Sequence, residues 1–598
     1  MHAPAWFQPV LGLLSWFWQQ SQGWEQCWAC NLHSESDLRK MTQLVQKIGS
    51  RPPWVGLGAA ILVQFASGNP YTFPLFSPAL KSVLGFNQQQ ITILGVAADI
   101  GENAGILPGI VCNKFHPWVV LCGGAFACFW GFGLIWLTVT QTIQNLPYWL
   151  LWIALLVGTN SSAWFSTTVI VTNMRNFPLH RGTIAGLLKG YSGLSTAIYA
   201  EIFSLTLDKS ASSLLLFLAL GLPILCCSMM YLIRLCTPAT ASLEDSSHKF
   251  LFIQASSVLL GVYLLATKII DSTFTLDKSI CYMFIAIMFT FMIAPLAIPA
   301  KMTVFPRGKK LGGSITDPLL PQTSPVPRQT SEDEETGTEE DYPEPDTDTD
   351  TLLAIGEGAV VKRKRRPRRG EDFKFKEAII KADFWLLWLV YFLGAGSGVT
   401  ALNNLAQIGS AQGDGIDTTL LVSLFSFCNF IGRLGGGAVS EYFVRRNSVP
   451  RTIWMSFTQA IMCLSFLLYI STLSSTLYIA TALIGIGFGV QFTTMIPTAS
   501  ELFGLKNFGV IYNFILLGNP IGAFLFSGLL AGYIYDSEAI EQGASTCLGS
   551  ACFRLTFLVL AALCGVGTML GLYLSFRIRP VYQMLYSGGS SQHISSLH

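Results

Sequence analysis

Charge is what this sequence has least of. Asp, Glu, Lys and Arg make up 12% of the 598 residues and hydrophobic residues 51%, whereas a soluble domain carries about a quarter charged residues. A chain so poor in charge cannot coat a large water-exposed surface, which excludes an ordinary soluble enzyme. A glycine-rich nucleotide loop, a metal-ligand cluster and a nucleophile set beside a base are also missing, so no metal, no cofactor and no enzymatic activity is expected. A disulfide framework is missing too. The 14 cysteines mostly stand singly in apolar runs, where a thiol acts as a small hydrophobe. Cys27 and Cys30 have no second pair beside them and read as incidental. Cys547 and Cys552, in STCLGSACF, are different, because they share a loop assigned below to the non-cytosolic side, where a disulfide can persist.

Long apolar runs are abundant. Runs of about 20 residues suffice to cross a bilayer as helices, and fourteen such segments lie between residues 53 and 576, grouped as six, two, a hydrophilic gap and six. The fold expected is an all-α polytopic membrane protein. Lys and Arg cluster at alternate connections, which puts both termini and the central loop in the cytosol by the positive-inside rule. The chain then divides into a cytosolic extension (1–50, without the basic start or cleavage site of a signal peptide), a six-helix half (51–236), an extra helix pair (250–300), a cytosolic loop (301–383), a second six-helix half (384–580) and a tail (581–598). The loop holds 11 acidic residues between Glu332 and Asp350 and seven basic ones among the eight from Lys362 to Arg369. Its composition predicts disorder, and its basic run, lying just before a span, predicts contact with anionic lipid rather than nucleic acid.

The halves are related to each other. Gly109-Ile-Val-Cys-Asn113-Lys114 has a counterpart in Gly437-Ala-Val-Ser-Glu441, followed by Arg445 and Arg446; Thr167-Thr168 matches Thr493-Thr494, and Gly182 matches Gly509, all at an offset of 326–328 residues. Paired halves of this kind are a habit of secondary transporters. The glycine motif with its acid and basic pair resembles the loop signature of the major facilitator superfamily, although the first copy has Asn113-Lys114 and no following basic pair. More closely, LGVAADIGENAGILPGIVCNKF, FPLHRGTIAGLLKGYSGLSTAIY, FIGRLGGGAVSE and SELFGLKNFGVIYNF resemble the plant nodulin-like, nuclear-fusion-defective type of facilitator, over about residues 50–580. That resemblance implies a facilitator fold of two six-helix halves with two extra central helices, and a cytosolic gate at Gly109, Asn113, Lys114, Gly437, Glu441, Arg445 and Arg446. A looser similarity reaches monocarboxylate carriers, whose Asp-x-x-x-Arg reads here Asn429-Phe-Ile-Gly-Arg433.

Several polar groups sit inside apolar runs, and each has a structural and a functional reading. In GVAADIGENAGILPG, Gly101, Gly105 and Gly109 form one helical stripe suited to close packing, while Asp99, Glu102 and Asn103 form the next. Acids at mid-membrane face protein or water, and they either hold helices together or exchange protons. Lys189 lies at a compatible depth; it pairs with these acids or snorkels to the interface. Arg433 either receives an anionic solute or pins the gate by pairing with Glu441 or with backbone carbonyls. Gln64, Asn160, Asn403 and Asn404 line a path or bond neighbouring helices. Gly68-Asn69-Pro70 and Asn519-Pro520 interrupt their helices, as cavity-lining backbone does. The expected function is proton-coupled alternating-access transport of a small solute, an organic anion first, in a plasma or endomembrane left open. The alternative is a receptor or scaffold signalling through the central loop.

Overall fold

The computed structural model describes residues 52–304 and 370–587, apart from positions 87, 144–145, 237–242, 274–276, 412–417, 471–473, 544–546 and 550. The expectations for residues 1–50, for the acidic run and for Lys362–Arg369 lie outside the described residues. Within them the chain is helical, and no strand occurs.

The first half comprises α1 (Pro52–Ala66), α2 (Phe73–Leu84), α3 (Gln88–Asn103), α4 (Ile106–Lys114), α5 (Pro117–Val139), α6 (Tyr148–Asn176), α7 (Arg181–Leu205), and α8 (Ala211–Leu216) joined by a π-turn to α9 (Leu222–Met230). The extra pair is α10 (Leu243–Thr273) and α11 (Lys278–Ile293), the latter extended by α12 (Ala297–Val304). The second half holds α13 (Phe375–Ile379), α14 (Ala382–Asn403), α15 (Leu405–Ala411), α16 (Thr418–Asn447), α17 (Thr452–Tyr469), α18 (Ser474–Phe503), α19 (Phe508–Leu516), α20 (Gly518–Gly522), a π-helical stretch Ala523–Ala531, α21 (Gly532–Glu541) and α22 (Ala551–Ser587). Among the described residues, 11 helices are long and apolar enough to cross a membrane. Three other apolar runs fold as two broken rods, α1/α2 and α3/α4, and as the more polar α7.

Each break has a local cause. Pro70 has no N–H to donate, so α1 stops at Ala66 and the chain turns through Asn69–Thr72. Side chains satisfy the freed carbonyls: Ser67 Oγ donates to Gln64 O at 2.8 Å and Thr72 Oγ1 to Asn69 O at 2.7 Å. The second rod differs from the single helix expected from its sequence. Gly105 N turns to Asn103 O, and Pro108 cannot serve Ala104, so the carbonyls of Gly101 and Ala104 are left over. Asn160 Nδ2 donates to both, at 2.8 and 3.0 Å.

All helix ends joined to the central loop lie at one end of the molecule, called here the central-loop end. Two expectations change there. The loop is structured from residue 370 onward, because Phe373 has an apolar site to fill and is 1% exposed. The tail is helical to Ser587, where Tyr582 is buried as well. The extra helix α10 touches both halves, its Gly261 admitting Phe430 of α16 beside Leu194 of α7.

Candidate functional site

Where the broken rods face the second half, they leave a cavity of about 30 Å³ bordered by both halves. The turn after α1 contributes Tyr71, α3 contributes Glu102 and Asn103, α7 contributes Lys189, α16 contributes Arg433, and α19 contributes Tyr512 and Asn513. Tyr71 donates to Glu102 Oε1 at 2.7 Å. Lys189, 8% exposed, donates to Ser166 Oγ at 3.0 Å, and its ammonium stands 5.9 Å from the centre of the Tyr512 ring. Arg433, 4% exposed, donates from Nε to Asn429 Oδ1 at 3.1 Å and from Nη1 across the seam to Lys189 O at 3.0 Å, with its guanidinium over Phe492. Two buried cations thus face one carboxylate across a cavity, and neither cation forms a close ion pair with Glu102 among the described residues.

The sequence readings sort clearly against this geometry. Glu102, Asn103, Lys189 and Arg433 come together. Asp99 does not: it is exposed one turn away, because it stands on the side of α3 that carries Val96 and Ile100, both exposed. Asn429 orients Arg433. Asn160 repairs the broken rod, and Gln64 lies outside the cavity, its Nε2 3.4 Å from Ser166 Oγ. Asn403 is exposed, and Asn404 donates to Ser527 Oγ at 2.9 Å beside a separate small cavity. Sequence reasoning passed over Tyr71, whose only signal was its place directly after the break. It also gave Asn513 no special weight, although Asn513 Nδ2 reaches Thr167 Oγ1 of the other half at 2.9 Å and closes the cavity floor.

Below that floor the halves touch at two seams. At the first, α7 meets α16: a Cβ on Gly437 would come within 2.7 Å of Gly186 Cα. Glu441 Oε2 accepts from Gly182 N at 2.7 Å and from Arg451 at 2.9 Å, and Oε1 accepts from Arg445 at 2.9 Å. Arg451 is fully buried and also donates to Ser440 and, through two nitrogens, to Glu501. Glu501 accepts in turn from Tyr582 at 2.6 Å and Tyr586 at 2.7 Å. Arg433 has no part in this cluster and does not pair with Glu441; its bond between the halves is the one to the Lys189 backbone carbonyl. Arg446 is exposed and donates to Tyr442. At the second seam α4 meets α19. Gly109 lies on Gly509, Asn113 Oδ1 is buried with no hydrogen-bond partner among the described residues, and Lys114 is exposed. The His180 imidazole, in the turn ahead of α7, is held down to about 4 by burial and then by Arg445, so it adds no charge to the first seam at neutral pH.

Cys547 and Cys552 form a disulfide, at the end of the molecule away from the central loop. No group of three or more residues suited to holding a metal ion occurs among the described residues.

Residues 53–300 match the Nodulin-like family, and residues 370–584 match the family described as NFD4, C-terminal domain. Protein NUCLEAR FUSION DEFECTIVE 4 of Arabidopsis thaliana is 30% identical over 549 residues, covering 89% of this chain and 90% of that one. A probable transporter of Emericella nidulans, mch1, is 26% identical over 222 residues, covering 30% of this chain and 35% of that one. Among solved structures, the major facilitator transporter FucP in its outward conformation aligns over 87% of this chain and 98% of its own, with TM-score 0.47 and 12% identity. The described helices build a multi-pass membrane protein, and the chain belongs to the nodulin-like, nuclear-fusion-defective family.

Proposed function

We propose that this protein carries a small organic anion together with protons, by alternating access of the central cavity to the two faces of the membrane. The observation that supports this most is the pairing of Lys189 and Arg433, both buried and both lining one cavity from opposite halves. Desolvated cations of this kind require a negative partner, and the planar guanidinium suits a carboxylate. Glu102, held by Tyr71, is the acid that faces both cations, and it takes the coupling role. Asp99, exposed and off the cavity, serves at most as a way station. The central-loop end, rich in Lys and Arg, is assigned to the cytosol by charge bias, and Lys362–Arg369 to anionic lipid there.

Purified protein in liposomes, given an acid-outside pH gradient and radiolabelled lactate or oxalate as probes, tests the proposal. Accumulation of one of these carboxylates above its equilibrium level is expected, lost in Glu102→Gln and largely kept in Asp99→Asn, while anion exchange at equal pH persists in both. Uptake that ignores the gradient in the unmodified protein contradicts the coupling.

A further inference from the structure

The end of the central loop is built into the closed end of the molecule. Gly370 N donates to Leu502 O at 3.2 Å and Phe373 N to Phe503 O at 3.0 Å. Asp372 Oδ1 accepts from Lys506 N at 3.0 Å, and Asn507 Nδ2 donates to Phe373 O at 2.8 Å. The Phe373 ring is buried edge-on against Phe503, with centroids 5.7 Å apart, and Lys381 stands over its face. Gly370 rests on Val581 and Met584 of α22. The fit is mutual at Gly504: its φ of +76° favours glycine, and a Cβ there would stand 2.1 Å from Asp372 Oδ1.

The opposite side of the same turn belongs to the other half. Arg175, at the end of α6, donates to Leu505 O at 3.0 Å and to Lys506 O at 3.2 Å, and Arg181 donates to Ser500 O at 3.2 Å. The turn between α18 and α19 is therefore gripped by the first half on one side and by the end of the central loop on the other.

We propose that residues 370–373 are a strap that sets how long this end of the transporter stays shut. By fixing the turn they aim the Leu505 and Lys506 carbonyls at Arg175, and anything that grips the central loop reaches the gate through them. The strap is covalently joined to α14, so opening parts Arg175 from the turn while the strap stays in place. Loosening the strap then weakens the closed state selectively, because only that state uses the aimed carbonyls. The inference rests on the alternating-access reading above.

Nitroxides attached through a ketone amino acid at positions 114 and 447, one on each half and both exposed, report the opening by pulsed electron resonance in the full-length protein. The unmodified chain is expected to show a short and a long distance. Asp372→Ala, which removes one acceptor and leaves Phe373 buried, is expected to raise the long-distance share about fivefold, the ratio set by one net hydrogen bond; Phe373→Ala is expected to raise it further. Hydrogen exchange of the 502–507 amides confirms release of the turn, and Asp372→Asn, which keeps an acceptor, restores the original share. Released amides with an unchanged distance distribution would overturn the strap alone. A single distance in the unmodified chain, at every pH tried, would overturn alternating access and the strap with it.

Discussion

At the seam of α7 and α16, Gly437 packs against Gly182 and Gly186, and Glu441 accepts from the Gly182 N–H in the first turn of α7 while Arg451, Arg445 and Glu501 surround it. At the seam of α4 and α19, Gly109 packs against Gly509 in the related place, but the residue in the position of Glu441 is Asn113, and its oxygen has no partner among the described residues. The repeat explains the likeness, and two losses explain the difference. Where α17 is preceded by Arg451, α5 is preceded by His116, and at the offset of the paired threonines Glu501 falls on Arg175, so the first half has neither the buried arginine nor the second acid. Close backbone approach is thus what both seams need, whereas charge is added to only one. A carboxylate at a helix N-terminus is favourable, and with a buried arginine behind it the first seam becomes the stiffer of the two. Opening at this end then costs more at α7 and α16 than at α4 and α19.

Removing the buried cation should have the largest effect. Arg451→Ala leaves Glu441 and Glu501 buried without their shared partner, a loss of about 3–5 kcal/mol for a broken buried pair; a large drop in the detergent unfolding temperature, with the disulfide intact, is the expected reading. The glycines come next. A Cβ at Gly182 would lie 2.7 Å from Glu441 Oε2 and 2.9 Å from Gly437 O, whereas one at Gly509 would meet Gly109 O at 3.0 Å and Asn113 Oδ1 at 3.2 Å. Gly182→Ala should therefore destabilise by roughly 1–3 kcal/mol, as overpacking does, and Gly509→Ala by less; equal losses would erase the distinction between the seams. The smallest change adds charge where it is missing. Asn113→Asp sets a carboxylate near the start of α19 and should favour the closed end by about 0.3–1 kcal/mol, seen as a modest shift toward the short distance between labels at 114 and 447.

The sequence made the helices legible because apolar runs of membrane length have few other uses. The break at Gly68-Asn69-Pro70 was legible because proline lacks a donor. The break at Gly105 was not, since a glycine followed three residues later by Pro108 also fits a continuous packing stripe. Glu102, Lys189 and Arg433 stood out as charges in apolar surroundings, and the structure gathers them in one cavity. Asp99 stood out by the same sign and lies elsewhere, because one-dimensional depth does not say which side of a helix the cavity occupies. Arg451 and Glu501 were invisible for the opposite reason: each sits near a helix end, where charge is ordinary, and only the tertiary fold buries them together. Tyr71 and Phe373 carry no charge at all, and their importance comes entirely from what packs beside them.

Gradient-driven carboxylate uptake in liposomes tests the central claim most directly when the two cavity cations are removed separately from the seam. With Arg451 and Glu441 untouched, Lys189→Gln and Arg433→Gln should each raise the half-saturating anion concentration about tenfold to a hundredfold, the range for a lost hydrogen bond to a charged group, while leaving the unfolding temperature nearly unchanged. Half-saturation that stays the same in both variants, with uptake still driven by the gradient, would contradict the assignment of the cavity as an anion site.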